Sequence, residues 1–201
     1  MGRGVRIHDP RPGVPVEARA SKDATTDDQM SDQIPLDAVN DMDEDEFVDT
    51  FGDVAEHAPW VAAEAAEARP FTTRAAMIAA FQAAVEKADR ARQRALLLAH
   101  PDLAGRAAIA GDITADSRKE QAGAGLDRLT PDEFARFTAM NDAYRDRYGI
   151  PFIFAVRGAT KGQILEGFEA RLGNPPETEF ATALTQVCRI VQFRLEDRVA
   201  A

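Results

Sequence analysis

Apolar positions recur at helical spacing along most of the chain. From Pro35 onward, Phe47, Phe51 and Val54 fall at i, i+4 and i+7, and Asp41, Asp43, Glu44 and Asp45 crowd the positive end of the helix dipole. Pro59-Trp60 interrupts or restarts this pattern. Phe71 to Leu98 reads as one long Ala-rich helix, capped by Thr72 or Thr73, striped by Met77, Phe81 and Val85, and stopped by Pro101 just after His100. The next helix is expected from near Ser117 to Leu126 or Leu129, with Gly123 and Gly125 inside it marking close helix–helix approach.

Thr130-Pro131-Asp132-Glu133 is a strong start signal: Thr caps, Pro takes the first helical position, and Glu can close a capping box. The helix it opens carries Phe134, Phe137, Met140 or Asn141, and Tyr144, and it ends at Gly149-Ile150-Pro151. Phe152-Ile153-Phe154-Ala155-Val156 is then either a buried strand or an extended core loop. Two helices follow, from about Thr160 to Leu172 and from about Pro176 to Val199, separated by Gly173-Asn174-Pro175. About six helices and almost no strand define an all-α class, with no internal repeat. Residues 34–199 are expected to form a single compact multi-helix domain. Residues 1–33 lack hydrophobic periodicity and are rich in Pro, Gly, Asp and Ser, so they are expected to form a flexible, disordered N-terminal tail.

Composition narrows the function classes. The 201 residues suffice for one domain, and 45% apolar with 29% charged residues is ordinary for a globular protein. A formal charge of -10 opposes a nucleic-acid partner. Cys188 stands alone, which excludes an intrachain disulfide or a thiolate metal site and fits a reducing cytosol. The longest apolar runs, around Leu96–Leu98 and Phe152–Val156, fall far short of the ~18 residues of a membrane span. The opening Met1-Gly2-Arg3-Gly4-Val5-Arg6 has no apolar signal core, Arg6 stands where a myristoylation motif wants Ser or Thr, and Arg198-Val199-Ala200-Ala201 carries no peroxisomal tripeptide. The expected protein is soluble and cytoplasmic, without a membrane partner.

Several side chains could carry chemistry, and each also has a structural explanation. His100 ends a helix and suits proton transfer, although a histidine there also complements the negative dipole end. Ser117, Glu120 and Gln121 share one helical face and could converge on a small polar molecule; Ser-x-x-Glu is equally a capping box, which leaves Gln121 unexplained. Arg194 continues the inward stripe of Leu184, Val187 and Val191 and needs an anion, whether a ligand or an internal carboxylate. The Phe152–Val156 segment is either plain core or a source of backbone groups for a bound heterocycle. His8 falls in the tail, His57 is read as structural, and Cys188 as a small buried hydrophobe. A metal set of His100, Asp102 and Glu120 lacks a recognised ligand spacing. No Walker loop, dinucleotide fingerprint or Gly-x-Ser-x-Gly elbow is present.

Taken in order, His100-Pro101-Asp102-Leu103-Ala104-Gly105, Ser117-x-x-Glu120-Gln121-Ala122-Gly123-Ala124-Gly125-Leu126, Asn141-x-x-Tyr144, Gly149-Ile150-Pro151-Phe152-Ile153 and Arg194 resemble the OHCU decarboxylase family. The resemblance runs from about Ile34 to Val199 and includes Phe47-Val48 and Pro59-Trp60. It implies an all-helical enzyme that converts 2-oxo-4-hydroxy-4-carboxy-5-ureidoimidazoline (OHCU) to (S)-allantoin in urate degradation, with no metal and no organic cofactor. His100 would be the catalytic acid/base, with Glu120 paired to it or to the substrate hydroxyl. Pro101, Ser117-Arg118-Lys119-Glu120-Gln121, Phe152-Ile153-Phe154-Ala155-Val156 and Arg194 would bind the substrate. Ala58 replaces the serine often found before Pro-Trp, and Phe154 is bulkier than the family pattern. The resemblance also makes a homodimer an expected assembly. A transthyretin-like hydrolase domain, sometimes fused to the family, is not expected because the sequence stops after the last helix.

Two rival readings stay open at this point. One is a non-catalytic helical interaction module, with the Phe47/Phe51 and Val187/Val191 stripes serving a partner. The other is a metal-dependent hydrolase built on His100, Asp102 and Glu120.

Overall fold

Most helices begin where a short polar side chain can accept from the first free amides. The computed structural model describes residues 1–2, 33–105, 108 and 112–201. Among these residues the elements are α1 (Leu36–Asp41), α2 (Glu44–Phe51), α3 (Trp60–Ala66), α4 (Arg74–Lys87), α5 (Arg90–Ala99), α6 (Ala115–Gly123), α7 (Pro131–Tyr148), α8 (Lys161–Arg171) and α9 (Pro176–Arg198). Asp43, Thr73, Asp89, Thr114, Thr130 and Thr160 each cap the helix that follows, accepting from the amide three residues on. Thr130 and Thr160 close full capping boxes with Glu133 and Gln163. The fold is all-α: among the described residues strand pairing is limited to an isolated bridge between Ile34 and Val199.

The single helix expected over Phe71–Leu98 is two helices. Ala88 leaves the helical region at ψ 146°, and the Asp89 carboxylate caps α5 on the Arg92 amide at 2.9 Å. Gln93 Nε2 reaches back to the Val85 carbonyl at 3.0 Å, which compensates an acceptor freed at the break. An aspartate offering its own oxygen to nearby amides competes with helix continuation more strongly than alanine propensity resists it. The break makes α5 a separate helix ending at His100.

The glycines of α6 also differ from expectation. Gly123 is the last helical residue and Gly125 lies at φ 76°; a Cβ at either would meet nothing within 4 Å. They serve chain reversal, with Leu126 N–H on Gln121 O at 3.0 Å and Gly125 N–H on Ala122 O at 2.9 Å.

Phe47, Phe51 and Phe81 pack ring against ring where α2 meets α3 and α4, and α9 lies against α4 and α5. A second aromatic cluster joins Phe137, Tyr144, Phe152 and Phe168. Burying each such ring contributes roughly 1.5–3 kcal/mol. Phe47, Phe51, Val187 and Val191 all lie in this core, exposed by at most 1%, so the stripes that an interaction module would present are not available to a partner.

Phe152–Val156 is irregular chain, not strand. Gln33–Ala201 form one compact unit, closed where Ile34 N–H donates to Arg198 O at 2.7 Å and Gln33 Nε2 donates to Glu196 O at 2.7 Å. The tail expected over 1–33, His8 included, falls outside the described residues apart from Met1, Gly2 and Gln33. Among the described residues no helix is long and apolar enough to cross a membrane.

Candidate active site

His100 forms the C-cap of α5, its N–H on Leu97 O at 3.2 Å, and Pro101 obliges it to leave the helix in extended geometry. The imidazole is buried, and Nδ1 lies 2.9 Å from Leu96 O. A carbonyl can only accept, so Nδ1 carries the hydrogen and Nε2 keeps its lone pair in the neutral ring. Burial holds the His100 pKa below the ordinary 6.5; the Leu96 hydrogen bond and the charge of Glu56 oppose that shift, while Arg194 adds to it.

The turn after His100 is tied down from behind. Ala104 sits at φ 53° with its N–H on Gln121 Oε1 at 2.9 Å, and Asn141 Nδ2 donates to Leu103 O at 2.9 Å. Arg145 Nε reaches both oxygens of Asp102, at 2.9 and 3.0 Å. Gln121 therefore holds the turn after His100 as well as lining the cleft. Asp102 answers Arg145, and the set of His100, Asp102 and Glu120 is not gathered as metal ligands; among the described residues no three His, Cys, Asp or Glu side chains form such a group.

Thr114, not Ser117, caps α6, so Ser117 and Glu120 do not form a capping box. Ser117 Oγ donates to Glu56 Oε2 at 2.9 Å and accepts from Arg194 Nη2 at 3.1 Å. Arg194 donates through Nε and Nη2 to the two oxygens of Glu120, both at 2.8 Å, and through Nη1 to Glu56 Oε2 at 2.9 Å. The inward arginine has found carboxylates within the chain. Both Glu120 oxygens accept from Arg194, so of the two partners expected for Glu120, His100 or the substrate hydroxyl, His100 is not hydrogen-bonded to it among the described residues, and Glu56 is the acid whose charge bears on His100. Burial opposes the charge of Arg194, but its ion pairs with Glu120 and Glu56 prevail and raise its pKa. Burial likewise works against Glu56, yet the Arg194 charge and hydrogen bond hold its carboxyl below the ordinary range.

These groups line one small cleft with a cavity volume of about 30 Å³. His100 and Pro101 form one wall, and Ser117, Glu120, Gln121 and Arg194 the polar side. Phe152, Ile153, Phe154 and Val156 close the apolar side. Three expected contributors lie elsewhere. Arg118 and Lys119 are exposed because helical rotation turns them away from the face of Ser117, Glu120 and Gln121; Arg118 Nη2 lies 3.4 Å from Ile113 O, and Lys119 lines a neighbouring groove. Ala155 is buried with its N–H on Gln186 Oε1 at 3.0 Å. Phe154 is accommodated by Gly167, where a Cβ would come within 2.9 Å of its ring. Cys188 is half-buried, and burial pushes its thiol up to about 11.

Two further features were not foreseen from the sequence. Glu56 lies between α2 and α3 at φ 34°, followed by His57 at φ 55°. Its signal was an acid set among the apolar residues of Val54-Ala55 and Ala58-Pro59-Trp60. Behind the cleft, Arg171 Nη1 holds Ile153 O at 2.7 Å and its Nε holds Glu179 Oε1 at 2.8 Å, while the Tyr144 hydroxyl donates to the same carboxylate. The Arg171 guanidinium also lies 4.5 Å from the centroid of the Phe152 ring. Arg171 and Glu179 are nine and zero percent exposed, so this pair fixes the Phe152–Val156 segment from inside the core.

A compact helical fold that brings one histidine, paired acids and an arginine to a half-open cleft suits an acid/base enzyme acting on a small anion. The family model for OHCU decarboxylase matches residues 40–196. A 2-oxo-4-hydroxy-4-carboxy-5-ureidoimidazoline decarboxylase of Haloferax volcanii is 40% identical over 169 residues, covering 84% of this chain and 98% of the relative. The uric acid degradation bifunctional protein PucL of Bacillus subtilis is 39% identical over 162 residues, covering 81% of this chain and 32% of its own length. A crystal structure of (S)-allantoin synthase superimposes with a TM-score of 0.67 at 31% identity, over 83% of this chain and 54% of that one, so the chain spans about half its length. The chain belongs to the OHCU decarboxylase family.

Proposed function

We propose that the chain decarboxylates 2-oxo-4-hydroxy-4-carboxy-5-ureidoimidazoline to (S)-allantoin. Membership of the family supports the reaction. The observation that carries the residue roles is the convergence of His100 from the end of α5, Glu120 from α6 and Arg194 from α9 on one small cleft.

Loss of carbon dioxide breaks the bond between the carboxylate and the hydroxyl-bearing ring carbon. The bond pair enters the ring as a carbon–carbon double bond, and the adjacent carbon–nitrogen pair moves onto nitrogen, which takes a proton. The ring is thus its own electron sink. Arg194 orients the carboxylate so that the breaking bond aligns with the ring π-system, Ser117 steadies Arg194 and Glu56 behind it, and the aromatic wall excludes water. Neutral His100, with its free Nε2, then takes the hydroxyl proton as that oxygen becomes a carbonyl and returns a proton to one face of the ureido-bearing carbon. One-sided delivery makes one enantiomer. Overall, substrate anion plus one proton gives allantoin plus carbon dioxide. A cytoplasmic location and a homodimeric assembly complete this reading.

The test is circular dichroism on freshly generated substrate. Because the substrate also decays unaided to racemic allantoin, single-handed product reports the enzyme specifically. Racemic product at the unaided rate would overturn the proposal.

A further inference from the structure

Arg194 meets its two acids on different edges. Its Nη1 end donates to Glu56 Oε2 at 2.9 Å and to Val54 O at 3.4 Å. Nε and Nη2 form a parallel fork on Glu120, each bond 2.8 Å long. The acids also differ in setting. The Glu56 side chain is 1% exposed and receives two more hydrogen bonds, from Thr114 Oγ1 at 3.0 Å and Ser117 Oγ at 2.9 Å. The Glu120 side chain is 18% exposed and lies on the wall between the cleft and the groove that holds Lys119 and Arg157.

A guanidinium fork that fits one carboxylate fits another. A substrate carboxylate entering this cleft therefore finds the Nε/Nη2 edge already occupied by an equivalent group. One edge cannot give parallel bonds to both. Resting on the decarboxylase reading above, we propose that Glu120 is a placeholder on Arg194: it fills the fork in the empty site, and the substrate carboxylate displaces it while Glu56 stays and keeps the guanidinium in place.

Charge favours the exchange. Arg194 already hydrogen-bonds two carboxylates and has Asp116 Oδ2 3.9 Å from its Nε, and a further carboxylate beside them would be opposed by like charge unless one withdrew. Glu120 can withdraw because its side chain borders the outer groove, whereas Glu56 is enclosed and held by three side chains. The release also changes what Glu120 can do. Freed from the guanidinium, its two oxygens can accept hydrogen bonds from the substrate's hydroxyl or ureido N–H groups.

The experiment is calorimetric titration of the full chain with two ureides: allantoate, which carries a carboxylate, and (S)-allantoin, which carries none. Glu120→Gln should bind allantoate roughly tenfold more tightly than the wild type, because a charge-assisted competitor is gone, and (S)-allantoin within about twofold. Glu120→Ala should show the same selective gain, which separates lost competition from a new contact made by the amide. Turnover should fall in both variants. Equal, weaker or undetectable allantoate binding in both variants overturns the placeholder role, as does an equal gain for the two ureides. The decarboxylase reading fails separately, when the wild type makes no single-handed allantoin. An active wild type without the selective gain removes the placeholder alone.

Discussion

The carboxylate of Glu56 and the guanidinium of Arg194 meet at 2.9 Å across 138 residues of chain, with side chains only 1% and 3% exposed. This contact ties the segment between α2 and α3 to the far helix α9 at the floor of the cleft. Taking one partner from a buried pair leaves the other charge uncompensated, at a cost of about 3–5 kcal/mol. Arg194 keeps Glu120 when Glu56 is lost, so Glu56→Ala should cost about 3 kcal/mol, measured by urea unfolding.

The same pair sets an acid dependence of stability. The folded-state pKa of Glu56 lies below its ordinary value of 4.5, because the pull of Arg194 outweighs burial. Its contribution is present in full above the unfolded value and is lost as pH falls through the folded one. Urea midpoints of the wild type should therefore drop on acidification below about 4.5 more steeply than those of Glu56→Gln. Parallel curves would remove Glu56 from the acid response.

For His100 the sign concerns activity. Burial keeps the imidazole neutral at neutral pH, and the shuttle needs that neutral form to accept first. The acid limb of kcat/KM should therefore lie below 6.5, with activity falling as the ring protonates. His100→Asn should lower turnover by roughly 10²–10⁴-fold while leaving the melting temperature near the wild-type value. An acid limb above 6.5 would contradict a buried base at this position.

The legible parts of the molecule were those written in local chemistry. Thr130-Pro131-Asp132-Glu133 announced α7 because the capping box is completed within four residues, and Gly149 ended it because a left-handed cap favours glycine. The α4–α5 break was missed because alanine propensity masked a single competing carboxylate at Asp89. His100, Ser117 and Arg194 were visible as candidates, but their partners were not. Whether Ser117 capped a helix or held a buried acid depended on Glu56, 61 residues away, and no local spacing encodes that contact. Arg118 and Lys119 came along with the contiguous stretch, and helical rotation then separated them from it.

Arg194→Lys tests the fork itself. Lysine keeps the positive charge but has a single point of attachment, so it cannot bond in parallel to a carboxylate. KM should rise by roughly tenfold with a smaller change in kcat, read from initial rates with the chiral assay. An unchanged KM would show that the substrate carboxylate binds elsewhere.

Arg171 offers a test of the loop at a distance from the reacting atoms. It joins Ile153 O to Glu179, and Glu179 is wholly enclosed, with its second oxygen on Asn174 Nδ2 at 2.7 Å. Arg171→Met keeps much of the side-chain volume but strands a buried carboxylate and frees the Ile153 carbonyl, so it should cost about 3–5 kcal/mol. The double variant Arg171→Met with Glu179→Gln removes the stranded charge and should regain part of that stability. It does not restore the anchor on Ile153, so its KM should stay above the wild-type value even where its melting temperature recovers. Recovery of both together would mean that the loop is placed by its aromatic packing on Phe168 alone.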